Sequence, residues 1–134
     1  MTYAVSSALQ SAVYQRLVSD SGVQALVGGA IYDALPSGTL PSIYVSLGPE
    51  KVRDISDQLV SAAEHEFVVS VVTDQTGFSA AKAAAGAVCD ALAGAQMTLS
   101  RGTLTALHFH RAEAVRNGDQ RRIDLKFKAR VSDQ

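Results

Sequence analysis

The stretch RIDLKFKARV (Arg122–Val131) alternates a charged residue with an apolar residue along its whole length. Successive side chains of a β-strand point to opposite faces, so this alternation predicts a strand with one buried face and one charged face. Asn117-Gly118 precedes it and indicates a turn from an earlier strand that contains Leu107 and Phe109. We therefore expect the chain to end in a β-hairpin.

The register of this hairpin depends on which pairing buries more apolar surface. A two-residue turn at Asn117-Gly118 favours charge pairs between the strands but places Leu107 and Phe109 on the charged face. A three-residue loop over residues 116–118, with Gly118 left-handed, places both beside the apolar residues of the last strand. Burial of such side chains contributes roughly 1.5–3 kcal/mol each, against about 0.2–1 kcal/mol for an exposed ion pair. The sequence predicts the three-residue loop.

Two amphipathic helices are predicted before the hairpin. Apolar residues at spacings of three and four define the first over residues 5–17, and an Ala-rich stripe defines the second over residues 78–92. Residues 23–27 fit one further helical turn, which Gly28-Gly29 stops. Small residues on the second helix favour close packing against a sheet.

Three strands are predicted outside the hairpin. Residues 30–34 form a short strand, and Ile43–Leu47 is expected to lie antiparallel to it beyond a turn at residues 36–38. Glu66–Thr73 is apolar on both faces, which suits a central strand. Residues 48–62 are polar and aperiodic, which predicts a long loop of the kind that is often functional or mobile.

Together these elements predict an α+β fold. We expect a single, mainly antiparallel sheet of about four to five strands, with two helices packed on one face and a C-terminal β-hairpin. One domain is expected to span residues 1–134.

Composition excludes several classes of protein. The chain has 134 residues, of which 47% are hydrophobic and 19% charged, so it can bury a core and is too apolar for disorder. One cysteine cannot form an internal disulfide, and nothing points to an oxidising compartment. No apolar run approaches the roughly 18 residues of a membrane span, and the N-terminus lacks the features of a signal peptide. We expect a small, soluble, cytosolic domain.

The net charge of −1 conceals a division between two parts of the chain. Residues 111–130 carry seven basic and three acidic residues (+4), and the remainder carries five basic and ten acidic residues (−5). One interpretation is a solvated outer strand face. Another is that the basic strand meets an acidic surface on a second copy or on a partner, where charge sets the register of the contact. Direct recognition of nucleic acid is less favoured, because the charged face of the hairpin has no aromatic residues between its charges.

Three histidines raise the possibility of metal chemistry. His65, His108 and His110 supply three imidazoles, a set that can bind Zn²⁺. The predicted register, however, places His108 and His110 beside Lys126 and Lys128, whose charge opposes a cation. Solvated or interface histidines are therefore the favoured interpretation, and a small metal-dependent enzyme is an alternative.

Four ordered stretches of the sequence resemble the tail completion, or tail terminator, family of long-tailed bacteriophages and gene transfer agents. They are LVGGAIYDALP (residues 26–36), LPSIYVSLG (40–48), AEHEFVVSV (63–71), and the Ala-rich helix before Leu92 taken with the closing basic strand. Together they span nearly the whole chain.

This resemblance implies a structural assembly protein that is not an enzyme and carries no cofactor. Members of the family form a ring, commonly a hexamer, that caps the tail tube, ends its polymerisation and joins the tail to the head. The implied partners are further copies of the chain, the major tail tube protein and the head-side connector or stopper protein, with no membrane. DNA passes through the ring only as cargo. The implied location is the cytoplasm of the bacterial host during assembly, and then the head–tail junction of the particle.

Charge and position suggest where such contacts lie. We select the charged residues of the predicted 48–62 loop and of the basic closing strand as candidate subunit or partner contacts. They are Lys51, Arg53, Asp54, Lys126, Lys128 and Arg130. The alternatives are the metal-dependent enzyme built on the three histidines and a small nucleic-acid-binding module built on the basic hairpin.

Overall fold

A computed structural model describes residues 2–133 of the chain. Within this range the elements are α1 (Ser6–Ser19), α2 (Ser21–Val27), β1 (Ile31–Tyr32), β2 (Ile43–Asp54), β3 (Ala62–Thr73), α3 (Ser79–Leu92), β4 (Thr103–Asn117) and β5 (Gln120–Ser132). The five strands form one sheet in the order β1-β2-β3-β5-β4, and every neighbouring pair except β1–β2 is antiparallel. The predicted α+β fold, with its mainly antiparallel sheet and C-terminal hairpin, is confirmed.

The helices pack on one face of the sheet, which we call the covered face; the other is the open face. Residues that alternate along β3 and β5 turn inward to the helices and are buried, and they are His65, Phe67, Val69, Val71, Ile123, Leu125, Phe127, Ala129 and Val131. Phe127 lies at the centre, fully buried, with its ring 5.7 Å from that of Phe67. The core is therefore the layer between the helices and the two middle strands.

Both predicted helices are present, and the extra turn after the first is a separate helix, α2. Its N-cap is Asp20, whose carboxylate accepts a hydrogen bond from the backbone N–H of Val23 at 3.0 Å. This cap satisfies one of the free donors at the start of α2 and lets the chain change direction after α1. As predicted, the helix stops at Gly28-Gly29.

The predicted antiparallel pairing of the first two strands is wrong. β1 is parallel to β2, with Ile31 opposite Val45. The turn at residues 36–38 lies within a longer connection, residues 33–42, which carries the chain back to the starting end of β1. Packing of Tyr44 with Tyr32 and Leu40 on the open face gives this connection an apolar anchor.

The predicted loop over residues 48–62 is also wrong. β2 continues to Asp54, and only residues 55–61 connect it to β3. The register of β2 against β3 shifts by one residue between Leu47 and Glu50, which is a β-bulge. Gly48 and Pro49 indicate a break when the sequence is considered alone. In the sheet they form the bulge, and Glu50–Asp54 resumes the pairing.

For the hairpin between β4 and β5, the predicted turn is wrong, but the predicted placement of Leu107 and Phe109 on the apolar face is confirmed. The turn is Gly118-Asp119, since Asn117 pairs with Gln120, and not the predicted three-residue loop. Gly118 is left-handed as predicted, with φ of 64°. One register shift, between Phe109 and Arg111, brings Phe109 opposite Phe127 and so restores the apolar pairing; a second lies farther along β4, between Leu104 and Ala106. A bulge on β4 therefore produces the apolar pairing that we predicted from a three-residue loop. Such a bulge has no simple sequence signature.

The buried position of Phe127 predicts a large effect on stability. Phe127→Ala should lower the free energy of unfolding by about 3–5 kcal/mol, because it removes a fully buried ring and leaves a cavity. Phe109→Ala is the matched control, since its ring contacts Phe127 but is 45% exposed; about 1 kcal/mol is expected there. Urea unfolding measures both. Equal losses for the two variants would contradict this description of the core.

Candidate assembly interface

Charged side chains form ordered rows across the open face of the sheet. Two of the rows, each running over β2, β3 and β5, are Arg53–Glu64–Arg130 and Lys51–Glu66–Lys128. In each row an acid on β3 lies between two cations, and Arg53 Nη2 is 3.2 Å from Glu64 Oε1. Opposite charges on neighbouring strands contribute roughly 0.2–1 kcal/mol per pair. Each row is thus internally matched and still carries one surplus positive charge.

The bulge at Gly48-Pro49 places the β2 cations on this face. Side chains alternate between faces along a strand, so a shift of one residue moves every later side chain to the other face. Because of the shift, Lys51 and Arg53 lie opposite Glu66 and Glu64. Without it, both cations would point into the helices.

The open face is positive and the rest of the chain is negative. Its paired strands contribute seven cations and four acids, a net charge of +3, namely Lys51, Arg53, Arg111, Arg122, Lys126, Lys128 and Arg130 against Glu64, Glu66, Glu113 and Asp124. The remaining residues carry five cations and nine acids, a net charge of −4, which restores the total of −1. The sequence predicts a positive and a negative part of the chain. In the structure the positive part is the open face of the sheet, and the rest of the molecule is negative.

A wide cleft of about 730 Å³ lies on the open face. One wall of the cleft is formed by Leu35 and Leu40, from the connection over residues 33–42. The floor of the cleft includes Val68 on β3. Lys126 and Glu66 line its charged side. The surface is open and of mixed polarity, as is common for a protein–protein contact.

Five of the six candidate contact residues come together on this face. They are Lys51, Arg53, Lys126, Lys128 and Arg130, although two stretches far apart in the sequence supply them. Asp54 is placed differently, because it pairs with Ala63 and so lies on the other side of β2. Its carboxylate accepts hydrogen bonds from the hydroxyl and the backbone N–H of Ser56, which help to hold the pKa of Asp54 down at about 2. Asp54 thus takes part in the turn that begins the 55–61 loop.

Glu50 anchors the N-terminal segment to the sheet. Its carboxylate accepts hydrogen bonds from the Tyr3 hydroxyl and the Ser6 hydroxyl, both at 2.7 Å, and lies 3.1 Å from Nδ1 of His65. Burial raises the pKa of Glu50, but these hydrogen bonds outweigh burial and leave the pKa below its ordinary value. The sequence alone did not reveal this cluster, because it requires the bulge that turns Glu50 toward α1.

The three histidines do not come together. His65 is fully buried on the covered face beside Glu50, whereas His108 is exposed on β4 opposite Lys128 and His110 is exposed at a register shift. Among residues 2–133, no three His, Cys, Asp or Glu side chains are grouped as metal ligands would be. This geometry does not support the metal-dependent enzyme.

Comparison with known proteins gives two similarities that cover most of the chain. The family described as tail completion protein gp17 matches residues 11–132. A chain of a solved structure described as the virion of a native gene transfer agent (GTA) particle is 58% identical, with a TM-score of 0.92, over 98% of this chain and 99% of that chain. The comparison with curated proteins found no match. In the part of the chain that the structure describes, no helix has the length and apolar character of a membrane span.

The Glu50 cluster predicts a pH-dependent contribution to stability. A carboxylate with a lowered pKa in the folded state stabilises the fold above its unfolded pKa of about 4.3, and this stabilisation is lost as pH falls through the folded pKa. At pH 7, Glu50→Gln should therefore lower the free energy of unfolding by about 1–3 kcal/mol. The difference from wild type should shrink toward zero as the pH falls below 4.

Urea unfolding at a series of pH values measures this difference. Glu113→Gln, at an exposed carboxylate on β4, is the control and should stay close to wild type throughout. A Glu50→Gln deficit that is the same at every pH would show that the charge of Glu50 does not contribute.

Proposed function

The chain belongs to the tail completion protein gp17 family, and on that premise we propose that it caps the tube of a phage-type tail as a closed ring of identical subunits. It is a structural protein of a phage-type tail, and we infer no catalytic role. A ring that covers the end of the tube blocks the addition of tube subunits and so ends polymerisation. Its other side offers a surface to the head-side connector or stopper protein.

The observation that carries the ring proposal is the polarised charge of the subunit. In a cyclic ring each copy contacts its neighbours through two different patches, which must complement each other. A subunit with a face of net charge +3 and a remainder of −4 meets this requirement, because a positive patch on one copy can oppose a negative patch on the next. We take the hexamer from the family resemblance.

The open face is the proposed contact surface. Its cations Lys51, Arg53, Lys126, Lys128 and Arg130 are proposed to meet acidic groups of a neighbouring subunit or of the tube. Asp54, at the base of the 55–61 loop, is proposed to contribute at the edge of the same contact through the loop that it holds. Such charges set orientation and the rate of association more than affinity.

The charge pattern of the open face also bears on the nucleic-acid alternative. Acids on β3 alternate with the cations across the sheet, as in the rows that contain Glu64 and Glu66. A surface that binds the phosphate backbone concentrates cations instead. We therefore propose that DNA passes the ring as cargo and is not recognised by this face.

The proposed location follows from the proposed role. Ring formation and capping would occur in the cytoplasm of the bacterial host, where tails assemble. The ring would then stay in the finished particle at the junction between head and tail.

A tube polymerisation assay tests the capping role. Purified major tail tube protein is assembled with and without the chain, and electron microscopy gives the distribution of tube lengths. With the chain present we expect shorter tubes, each with additional density at one end. Tubes of unchanged length and without end density would contradict capping.

Charge reversal on β5 tests the contribution of the open face. Lys126→Glu with Lys128→Glu should raise the concentration of chain needed for half-maximal capping by about tenfold or more, because two attractive contacts become repulsive. The matched control is Lys126→Arg with Lys128→Arg, which keeps the charge and should cap normally.

A second control distinguishes a charge reversal on the open face from a charge reversal elsewhere on the surface. Arg116→Glu changes an exposed residue near the β4–β5 turn and should have little effect on capping. Thermal unfolding of every variant checks that the fold is intact. Normal capping by the folded Lys126→Glu, Lys128→Glu variant would show that the open face is not part of the contact.

A further inference from the structure

The connection between β2 and β3 ends in an ordered turn, residues 57–60, which we call the tip. Asp57 Oδ1 accepts hydrogen bonds from the backbone N–H groups of Leu59 and Val60, both at 2.8 Å. The backbone N–H of Asp57 donates to the carbonyl of Val60 at 3.0 Å. The tip is therefore a defined structure and not a loose loop.

This turn presents apolar side chains to the exterior. Leu59 is 91% exposed and Val60 is 40% exposed. Single apolar residues on a surface are ordinary, but here two adjacent ones are held outward at the end of a hairpin. The hydrogen bonds of Asp57 satisfy backbone groups of the turn, so the tip offers a partner two apolar side chains beside the polar side chains of Asp57 and Gln58.

An apolar groove lies elsewhere on the same molecule, between α3 and β4. Its volume is about 350 Å³, and its walls are Ala85, Gly86 and Cys89 on α3 and Phe109, Ala112 and Ala114 on β4. The groove exists because α3 carries small residues here and does not cover β4. As a result Phe109 stays 45% exposed, and Ala112 and Ala114 are exposed.

We propose that the tip of one subunit enters this groove on the next copy of the chain. The inference rests on the proposed ring and names the contact that closes it. The two surfaces are both apolar, one projecting and one recessed. Together they make the head-to-tail type of contact from which rings are built.

The two surfaces cannot meet within one subunit. The tip follows β2 and precedes Ala62, which pairs with Ser132 at the end of β5, whereas Ala114 in the groove pairs with Ile123 near the start of β5. The distance between these points is about 30 Å, at roughly 3.3 Å per residue of strand. A partner for the groove must therefore come from another molecule.

Charge also matches between the two surfaces. Lys82 lines the groove, and Lys82 Nζ and the Arg121 guanidinium lie 5.9 and 5.7 Å from the ring of Phe78. The tip contributes the Asp57 carboxylate, and the backbone hydrogen bonds from Leu59 and Val60 hold the pKa of Asp57 below its ordinary value. An acidic tip entering a groove with a basic end is favourable, and the same tip on an acidic surface is not.

The native cysteine in the groove provides a direct test. In Leu59→Cys the new thiol on the tip should approach Cys89 of the next copy, so that mild oxidation with copper-phenanthroline links subunits into a ladder of dimers, trimers and larger species. Burial and the neighbouring Asp90 raise the pKa of Cys89, so the reaction is run at alkaline pH, which increases the thiolate fraction. Non-reducing gels read the ladder, and a reductant should collapse it.

Two matched controls identify the linked pair. Leu59→Cys with Cys89→Ser has only the tip thiol and should give no species beyond dimers. Leu26→Cys keeps Cys89 and adds a thiol at another exposed leucine, 43% exposed on α2, so it should give little ladder. A ladder from Leu26→Cys as strong as that from Leu59→Cys, or no ladder from Leu59→Cys, would overturn the proposed contact.

A second measurement separates this contact from the ring itself. Leu59→Ser should raise the concentration for half-assembly by about ten- to a hundredfold, the range expected when burial of one leucine is lost. Leu26→Ser should leave that concentration unchanged. Sedimentation velocity over a range of concentrations, with tube protein added where assembly requires it, reports the assembled fraction.

The possible outcomes are distinct. If wild type and Leu59→Ser assemble equally, the contact is wrong and the proposed ring stands. If Leu59→Ser forms rings but fails to cap tubes, the tip binds the tube and not the groove, which also overturns the contact. If wild type forms no ring even with tube protein, the proposed function fails and the contact fails with it.

Discussion

The one-residue bulge at Gly48-Pro49 decides which side chains of β2 face the helices and which face outward. Before it, Val45 and Leu47 of β2 face the helices. After it, the alternation is reversed, so the charged half of β2 presents its cations to the open face. Gly48 suits the bulge because a Cβ there would lie 3.2 Å from the carbonyl oxygen of Val68, and Pro49 suits it because it has no N–H to donate.

This reversal has two consequences, one inside the subunit and one on its surface. On one side Glu50 turns inward and holds Tyr3, Ser6 and His65 together, which joins the start of the chain to the middle of the sheet. On the other side the cations of β2 complete rows that begin on β5. The same reversal thus builds an internal anchor and a positive external face. A subunit with such a face and a negative remainder is suited to meeting copies of itself.

The sequence predicted those features that depend on local pattern. The period-two alternation of β5 and the apolar spacing of α1 and α3 are local signals, and each predicted the right element and the right buried face. The direction of β1, the length of β2 and the turn before β5 depend on the register against a neighbouring strand. Pro49 could indicate either a loop or a bulge, and only pairing with β3 decides between them. The contact candidates were selected by charge; the alternation of β5 predicts that Lys126, Lys128 and Arg130 share a face, but only the bulge in β2 brings Lys51 and Arg53 to that same face.

We propose that identical subunits close into a ring on the end of a tail tube. Native mass spectrometry of the chain, alone and after incubation with short tubes of the major tail tube protein, tests this ring. We expect one dominant mass at a fixed whole-number multiple of the subunit, six from the family resemblance, in solution or at the tube end. A continuous series of oligomers, or a chain that stays monomeric beside uncapped tubes, would contradict it.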